Sequence, residues 1–308
     1  MKRIHEIFSM SVNKYKILCA VVEYGSLTRA AAAMGITQSG VSHTIASLER
    51  EIGFSIIKRG HTGVRLTPEG EIIIPAVRGI VNSSEQLEQL AASIHGVAVG
   101  NVRIGTFTSV AVHWLPQIMR EFQNEYPGIN IKIYSGDYSD VDSWLSDGTV
   151  DLAFVAPPCN GKYDIIPLSE DRILAILPKD HPMASYERFP VSAFGTEPFI
   201  SMPESSDHHT RRAIEAAGVV PNVKYSTKDD YAIIAMVENG LGVSVMPELL
   251  LSGRNYNVAA LELDPPASRT IALAIPSIEN ASPATKAFAN HIKSWVERNR
   301  SNIIYLRT

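Results

Sequence analysis

The chain has 308 residues, of which 45% are hydrophobic, and 28 Lys and Arg against 32 Asp and Glu give a formal net charge of -4 at pH 7. This length and apolar content favour two or three domains over one, and no apolar run is long enough to span a bilayer. The N-terminal MKRIHEIFSM lacks the apolar core of a secretory signal, so we expect a cytoplasmic protein. Met1 and Met10 are both candidate starts, and the sequence does not decide between them.

The charge is distributed unevenly along the chain. Residues 1–70 hold nine Lys or Arg and five Asp or Glu, a balance of +4, whereas the remainder holds 19 and 27, a balance of -8. A basic N-terminal module on an acidic body is the pattern expected when only one part of a protein meets phosphate.

Three helices are predicted at the N-terminus. Residues 12–24 have an apolar stripe in which Cys19 is a core thiol. A second helix should end at Gly35, because glycine readily adopts the left-handed backbone conformation that often terminates a helix. Thr37 is a suitable N-cap for a third helix. The inner faces of the second and third helices carry apolar residues at helical spacing: Leu27, Ala30, Ala31 and Met34, then Val41, Ile45, Leu48 and Ile52.

The outer face of the third helix is short and polar. Small residues let a helix approach the major groove of DNA, where amide, hydroxyl and imidazole groups read base edges. The pair therefore has the pattern of a helix-turn-helix, although most packed amphipathic helices bind no DNA. The outer-face residues are Ser39, His43, Ala46, Ser47 and Arg50, with Gln38 and Ser42 at the edges.

A basic hairpin is predicted directly after these helices. Residues 54–67 contain two short apolar runs around the turn-prone segment 60–63. The hairpin would present Lys58, Arg59 and Arg65. Such a wing positions a protein on the phosphates or in the minor groove without reading sequence.

Residues 10–70 resemble the winged helix-turn-helix of LysR-type transcriptional regulators. The resemblance is carried by GSLTRAAAAMGITQSGVSHTIASLEREIG and GVRLTPEG, and the order of elements beyond them is similar to the same family over nearly the whole chain. It implies that Gln38, Ser39, Ser42 and His43 face bases, while the wing cations, Thr28 and Arg29 hold phosphates.

The chain departs from the family on the reading face. The family usually has Pro-Ala where this chain has Ser39-Gly40, and often Arg at the positions of His43, Ala46 and Thr62. The reading face is therefore less basic than is usual in the family.

A long helix is predicted after the wing. Thr67 suits its N-cap, Pro68 its first position, and it should run to about Ile94 with a bend near Pro75. Three apolar heptads on this helix predict a homodimer, and the alternative is a long helix packed on its own domain. The seam consists of Ile73, Val77, Ile80, Ser84, Leu87, Ala91 and Ile94.

Alternating strands and helices after Gly100 predict an α/β fold with a mainly parallel sheet and two lobes. The expected domains are a winged helix-turn-helix at 1–67, a linker helix at 68–96 and an effector domain at 97–308. Lobe I would comprise 97–160 and 265–308, and lobe II 161–264, with crossings near 157–161 and 264–268. This is the layout of a periplasmic-binding-protein-like clamp, and it agrees with the effector domain of the family.

Ligands of open α/β sheets bind beyond the carboxyl ends of strands, where helices begin. Residues at such places form the predicted effector site, although Ser and Thr at helix starts are also common caps. The resemblance places small effectors at Ser109, Ser135, Ser201 and Thr227. Asp137 and Asp207 near the mouth would repel a carboxylate, so the charge of the effector stays open. The full predicted set is Thr106, Thr108, Ser109, Ser135, Gly136, Ala156, Ser201, Met202, His208 and Thr227.

Together these patterns predict a DNA-binding regulator that responds to a small molecule, with a clamp-type binding protein as the alternative. An enzyme is disfavoured, because the sequence has no GxSxG elbow, HExxH, phosphate loop or Cys-rich metal spacing. No cofactor or metal is expected.

The expected partners are double-stranded DNA, the effector and a second copy of the chain. Assembly into a homotetramer and contact with RNA polymerase are further expectations. Cys19 and Cys159 lie in different predicted domains, so no disulfide is expected, and a redox role for Cys159 is disfavoured.

Overall fold

The computed structural model describes residues 12–60, 63–95, 98–203 and 208–303, which form two compact units. The first unit contains the described residues before Ala98 together with Ser146–Thr149, and the second contains the others. The proposed starts Met1 and Met10, the turn residues His61 and Thr62, and Asp207 lie outside the described residues.

The first unit begins with three helices. These are α1 (Val12–Tyr24), α2 (Leu27–Met34) and α3 (Gln38–Ile52). Two predictions on their ends are confirmed: Gly35 has a left-handed φ of 66°, and the Thr37 hydroxyl accepts a hydrogen bond from the Gly40 amide. Their buried apolar residues share one core, which includes Leu18, Val21, Ala30, Val41, Ile45 and Leu48.

A two-stranded antiparallel hairpin follows, formed by β1 (Ile57–Gly60) and β2 (Gly63–Leu66). The Glu49 carboxylate of α3 accepts hydrogen bonds from the amides of Ile56 and Ile57 at 2.7 and 3.1 Å. On the other strand, the Val64 amide donates to the Gly25 carbonyl at 2.9 Å. The hairpin is therefore fixed to both sides of the helix-turn-helix.

The helix α4 (Pro68–Ile94) starts against this hairpin. A Cβ on Gly70 would lie 2.2 Å from the Ile56 carbonyl oxygen, so this close approach requires glycine. Of the predicted heptad seam, Val77 is buried in the first unit's core, whereas Leu87 and Ile94 are 68% and 83% exposed. The second half of the seam is thus uncovered in a single chain.

The second unit is a mixed α/β structure. Its lobe I elements are β3 (Gly100–Thr106), α5 (Thr108–His113), α6 (Leu115–Glu125), β4 (Ile129–Ser135), α7 (Tyr138–Ser146) and β5 (Leu152–Val155). There follow β6 (Asp164–Pro178), β7 (Arg188–Pro190), β8 (Phe199–Ser201), α8 (His208–Ala216), β9 (Val223–Ser226), α9 (Asp230–Glu238), β10 (Ser244–Pro247), α10 (Glu248–Leu251), β11 (Val258–Ile275) and α11 (Pro283–Ile303).

The main sheet of the described residues has seven strands in the order β10-β6-β11-β5-β3-β4, with β7 beside β11. The sequence predicts a mainly parallel sheet with separate strands in each lobe. Instead, β6 and β11 are long antiparallel partners that run through both predicted lobes. Only β3 with β4, β3 with β5 and β7 with β11 are parallel within it. The lobes are therefore joined by two continuous strands.

Separate apolar cores fill the two lobes. Aromatic side chains dominate the lobe I core, including Trp114, Phe122, Phe154 and Phe288. In lobe II, Phe189, Phe194 and Phe199 pack against β6 and β10. Among the described residues, no helix has the length and apolar character needed to cross a membrane.

Candidate functional site

The exposed face of α3 carries the side chains that the sequence predicts to read bases. Gln38, Ser39 and His43 are exposed and Ser42 is half-buried, while Val41 and Ile45 on the opposite face are fully buried. The helix therefore presents a row of short polar groups on a firmly packed support, which is the geometry that major-groove recognition needs.

A hydrogen bond links this face to the hairpin. Arg59 Nη2 in β1 donates to Ser42 Oγ at 3.0 Å. A predicted phosphate-binding cation is thus held beside a predicted base-reading hydroxyl. Any DNA contact made by Ser42 as a donor leaves its oxygen free to keep the Arg59 bond.

Two hairpin cations face each other directly. Lys58 and Arg65 are opposite residues in the β1–β2 register, and both are exposed. Like charges in this position are destabilising. Neither forms an ion pair with any residue that the structure describes. Thr28 and Arg29, in the first turn of α2, are also exposed. The protein therefore has a cationic surface whose electrostatic repulsion is not compensated. Binding of a polyanion would lower that repulsion.

A cleft of about 400 Å³ lies in the second unit, between the two lobes and at the ends of β3 and β4. Five of the predicted effector residues line it: Thr108, Ser109, Ser135, Gly136 and Met202. Apolar groups supply much of the remaining wall, among them Phe107, Ile173, Val245, Met246, Pro247 and Leu250.

Arg269 of β11 forms part of the cleft lining although it is only 3% exposed. Its Nε and Nη2 donate to Asp171 Oδ2 at 2.9 and 2.6 Å, across the β6–β11 register. Nη2 also donates to Ser109 Oγ at 2.7 Å, and Nη1 donates to the Tyr138 hydroxyl. Its guanidinium carbon lies 4.7 Å from the Phe107 ring centroid. This side chain therefore joins the crossing strands to lobe I.

Among the described residues, the charged groups of the cleft are predominantly acidic. Asp137, Asp140, Asp229 and Asp230 line it together with two cations, Lys228 and Arg269, and the second cation is already paired with buried Asp171. Asp229 also caps α9 by accepting from two backbone amides. The wall carries more negative than positive charge, which disfavours a strongly anionic ligand.

Four other predicted effector residues, all described by the structure, do not line this cleft. Thr106 is fully buried and its hydroxyl donates to the Phe107 carbonyl at 3.3 Å. The Thr227 hydroxyl accepts a hydrogen bond from the Asp229 amide at 3.3 Å. Ala156 lines a cavity of about 20 Å³ beside Cys159. Ser201 lines a separate cavity in lobe II. His208 opens α8, but its side chain lies outside the described part of the structure.

Tyr138, Lys228 and Arg269 also line the cleft and were not predicted from the sequence. The position of Arg269 was one indication in the sequence, because this residue interrupts an apolar strand directly after a predicted crossing. Burial of a cation costs free energy unless the cation is paired, so an arginine at such a position indicates a specific partner. Lys228 and Tyr138 occupy helix starts next to predicted residues, and only the spatial pairing identifies them.

Cys159 is a poor candidate for redox chemistry. Burial, reinforced by the charge of Asp142, raises the pKa of its thiol to about 11. The thiolate is the reactive species, so little of it exists at neutral pH. Among the described residues, no group of three His, Cys, Asp or Glu is placed to hold a metal ion.

Comparison with known proteins gives matches over nearly the whole chain. The model for the bacterial regulatory helix-turn-helix protein, lysR family, matches residues 12–71, and the model for the LysR substrate binding domain matches residues 95–297. The HTH-type transcriptional regulator YvbU of Bacillus subtilis, itself uncharacterised, is 29% identical over 287 residues, which cover 92% of this chain and 98% of YvbU.

Two solved structures are similar in fold. A full-length OxyR variant from Pseudomonas aeruginosa has a TM-score of 0.74 at 21% identity, covering 94% of this chain and 95% of that one. Full-length CbnR in complex with its target DNA has a TM-score of 0.63 at 17% identity, covering 93% of this chain and 100% of CbnR.

Proposed function

Because the chain belongs to the LysR family of DNA-binding transcriptional regulators with an effector-binding domain, we propose that it acts as a homodimer whose two α3 helices read a two-fold symmetric operator. The observation that carries this proposal is the uncompensated cationic hairpin beside a packed, polar-faced α3. In a dimer the two half-sites lie roughly 34–36 Å apart, or a multiple of that spacing.

Two sets of residues have separate roles in this DNA contact. Gln38, Ser39, Ser42 and His43 contact base edges in the major groove, where hydroxyl, amide and imidazole groups discriminate between bases. Phosphate contacts fix the orientation and supply most of the non-specific affinity. They come from Thr28, Arg29, Lys58, Arg59 and Arg65.

The uncovered part of α4 supports the dimer. Ile80, Leu87 and Ile94 are exposed large apolar side chains at heptad spacing, and a second copy of the same helix would cover them. Pairing of dimers into tetramers and contact with RNA polymerase extend this proposal, as the family implies. The cytoplasm is the compartment where such an operator is accessible.

The cleft in the second unit is the proposed effector site. Thr108, Ser109 and Ser135 offer hydroxyls, and Met202 with neighbouring apolar groups offers surface for a carbon skeleton. The acidic excess of the wall favours a neutral polyhydroxyl compound or an amine over a polycarboxylate. The effector shifts the lobes to the arrangement that it binds better, and this changes the spacing of the DNA-binding modules.

Selection from a pool of random duplexes tests the DNA-binding proposal without knowledge of the target genes. The purified full chain should enrich an inverted repeat, and DNase I footprinting should show protection of both half-sites. If no sequence is enriched over the starting pool, sequence-specific recognition by α3 is contradicted.

A further inference from the structure

Lobe II contains a second cavity, of about 330 Å³, that the proposed effector cleft does not use. Phe199 of β8, Ile214 of α8 and Ile233 of α9 line it, and all three are almost fully buried. Val220 and Val223 also line it, yet these two are 85% and 47% exposed. A concave, mainly apolar cavity of this size is typical of a small-molecule site.

The polar groups of this cavity define the chemistry that it accepts. Arg211 and Glu215 pair with each other, Nε to Oε1 at 2.5 Å, and the Ser244 hydroxyl donates to the Ile200 carbonyl at 2.6 Å. Among the described residues, the Ser201 hydroxyl forms no hydrogen bond. Among the side chains that the structure describes, the cavity therefore offers one free hydrogen-bonding group and no unpaired charge, and a buried charged ligand would lose its hydration without compensation.

The cavity borders the cleft between the lobes. Met202 and Val245 line both spaces, whereas Ser201 lines the lobe II cavity and Ser135 lines the cleft. A ligand in one space therefore contacts side chains that also form the wall of the other. Substitutions at Ser201 and Ser135 nevertheless address the two spaces separately.

We propose that the lobe II cavity binds a small, uncharged, mainly apolar molecule that carries one hydrogen-bonding group. A cavity of about 150 Å³ lined by aliphatic and aromatic side chains binds benzene. The lobe II cavity thus has room for a bicyclic aromatic molecule such as an indole. The site goes beyond the effector cleft of the proposed function and does not depend on it.

Indole and toluene are the probes for the full chain, with binding followed by ligand-observed NMR titration. Val223→Phe fills the cavity and should weaken indole binding by about tenfold or more. Val99→Phe is the matched control, because Val99 is similarly exposed at 41% and lines neither space, and indole binding should be unchanged. Indole-3-acetate and tryptamine should bind more weakly than indole, since each buries a charge.

A second comparison keeps the test valid if Val223→Phe does not fold. Ser201→Ala should weaken the binding of indole and leave that of toluene unchanged, because toluene has no N–H to donate. Ser135→Ala should change neither. The proposal is overturned if indole fails to bind the wild-type chain at millimolar concentration. It is equally overturned if Ser135→Ala, rather than the lobe II variants, abolishes binding, because indole would then occupy the cleft.

Discussion

Lys228 of lobe II and Asp137 of lobe I form an ion pair across the cleft, with Nζ 2.8 Å from Oδ2. The Asp137 carboxylate is almost buried and its other oxygen accepts from the Ser139 hydroxyl and the Asp140 amide. Lys228, by contrast, is largely exposed. A buried, hydrogen-bonded acceptor in one lobe thus meets an exposed donor from the other, and the pair links the two lobes across the cleft.

This ion pair should be measurable as coupling between the lobes. We expect Lys228→Met and Asp137→Asn each to lower the melting temperature, and the double variant to melt no lower than the worse single variant. The differences should shrink at high salt, because the Lys228 end is exposed to screening. Lys224→Met, an exposed lysine without an ion pair in the described residues, is the control. Additive losses from the two changes would show that the pair does not couple the lobes.

The buried pair of Arg269 and Asp171 should be far more sensitive to substitution. Arg269→Met leaves the Asp171 carboxylate buried without its partner, at an expected cost of about 3–5 kcal/mol in the free energy of unfolding. Urea denaturation provides the measurement. Arg172→Met is a matched control on β6, since Arg172 is 44% exposed and pairs with Glu248 and Glu262, and it should cost less than about 1 kcal/mol. Similar losses for the two variants would contradict a special role of Arg269.

Lys58→Ala should separate DNA affinity from stability. Removing one of the two opposed cations relieves repulsion in β1–β2, so the free protein should be as stable as the wild type or slightly more stable. Binding should weaken on all duplexes alike, and the slope of log K against log salt should fall by about 0.9 if one phosphate contact is lost. Fluorescence anisotropy over a salt series provides this slope. An unchanged slope would mean that Lys58 does not contact phosphate.

His43→Ala should act on sequence preference instead. Loss of a base-edge contact is expected to cost about 1–3 kcal/mol on the selected operator and almost nothing on random duplex. Competition binding with single-base operator variants will show which position loses its preference. If the loss were equal on every duplex, His43 would be assigned to phosphate rather than to a base.

Leu87→Glu should disrupt the dimer. The α4 seam is uncovered in a single chain, and the second copy would bury the new carboxylate at its centre. Sedimentation equilibrium should show a shift toward monomer. Ile72→Glu is the control, since Ile72 is 78% exposed on the same helix but lies outside the seam. If Leu87→Glu remained dimeric, α4 would not be the dimer contact.

The elements built from local signals were predictable from sequence. Thr37 and Gly35 mark helix ends by their own chemistry, so α2 and α3 were expected close to their observed bounds. The long strands β6 and β11 were not, because charged residues such as Asp171 and Arg172 interrupt the apolar pattern and resemble a turn. Asp171 pairs with Arg269 of β11, 98 residues away, and Arg172 pairs with Glu248 of α10, 76 residues away. Only tertiary pairing makes a charged residue compatible with the middle of a strand.

The same reason limited prediction of the cleft. Ser109 and Ser135 were predictable because they follow strands, where ligands of α/β sheets bind. Arg269 and Lys228 contribute through contacts that span both lobes, and no local spacing encodes such contacts.

The spacing of the two half-sites tests the central claim most directly. Fluorescence anisotropy would compare the selected inverted repeat with a duplex in which one half-site is moved by about five base pairs, half a helical turn, so that it faces away from the second reading helix. A dimer with two α3 helices should bind the altered duplex much more weakly than the intact repeat, because only one reading helix then meets its half-site. Equal affinity for the two duplexes would contradict recognition by paired reading helices.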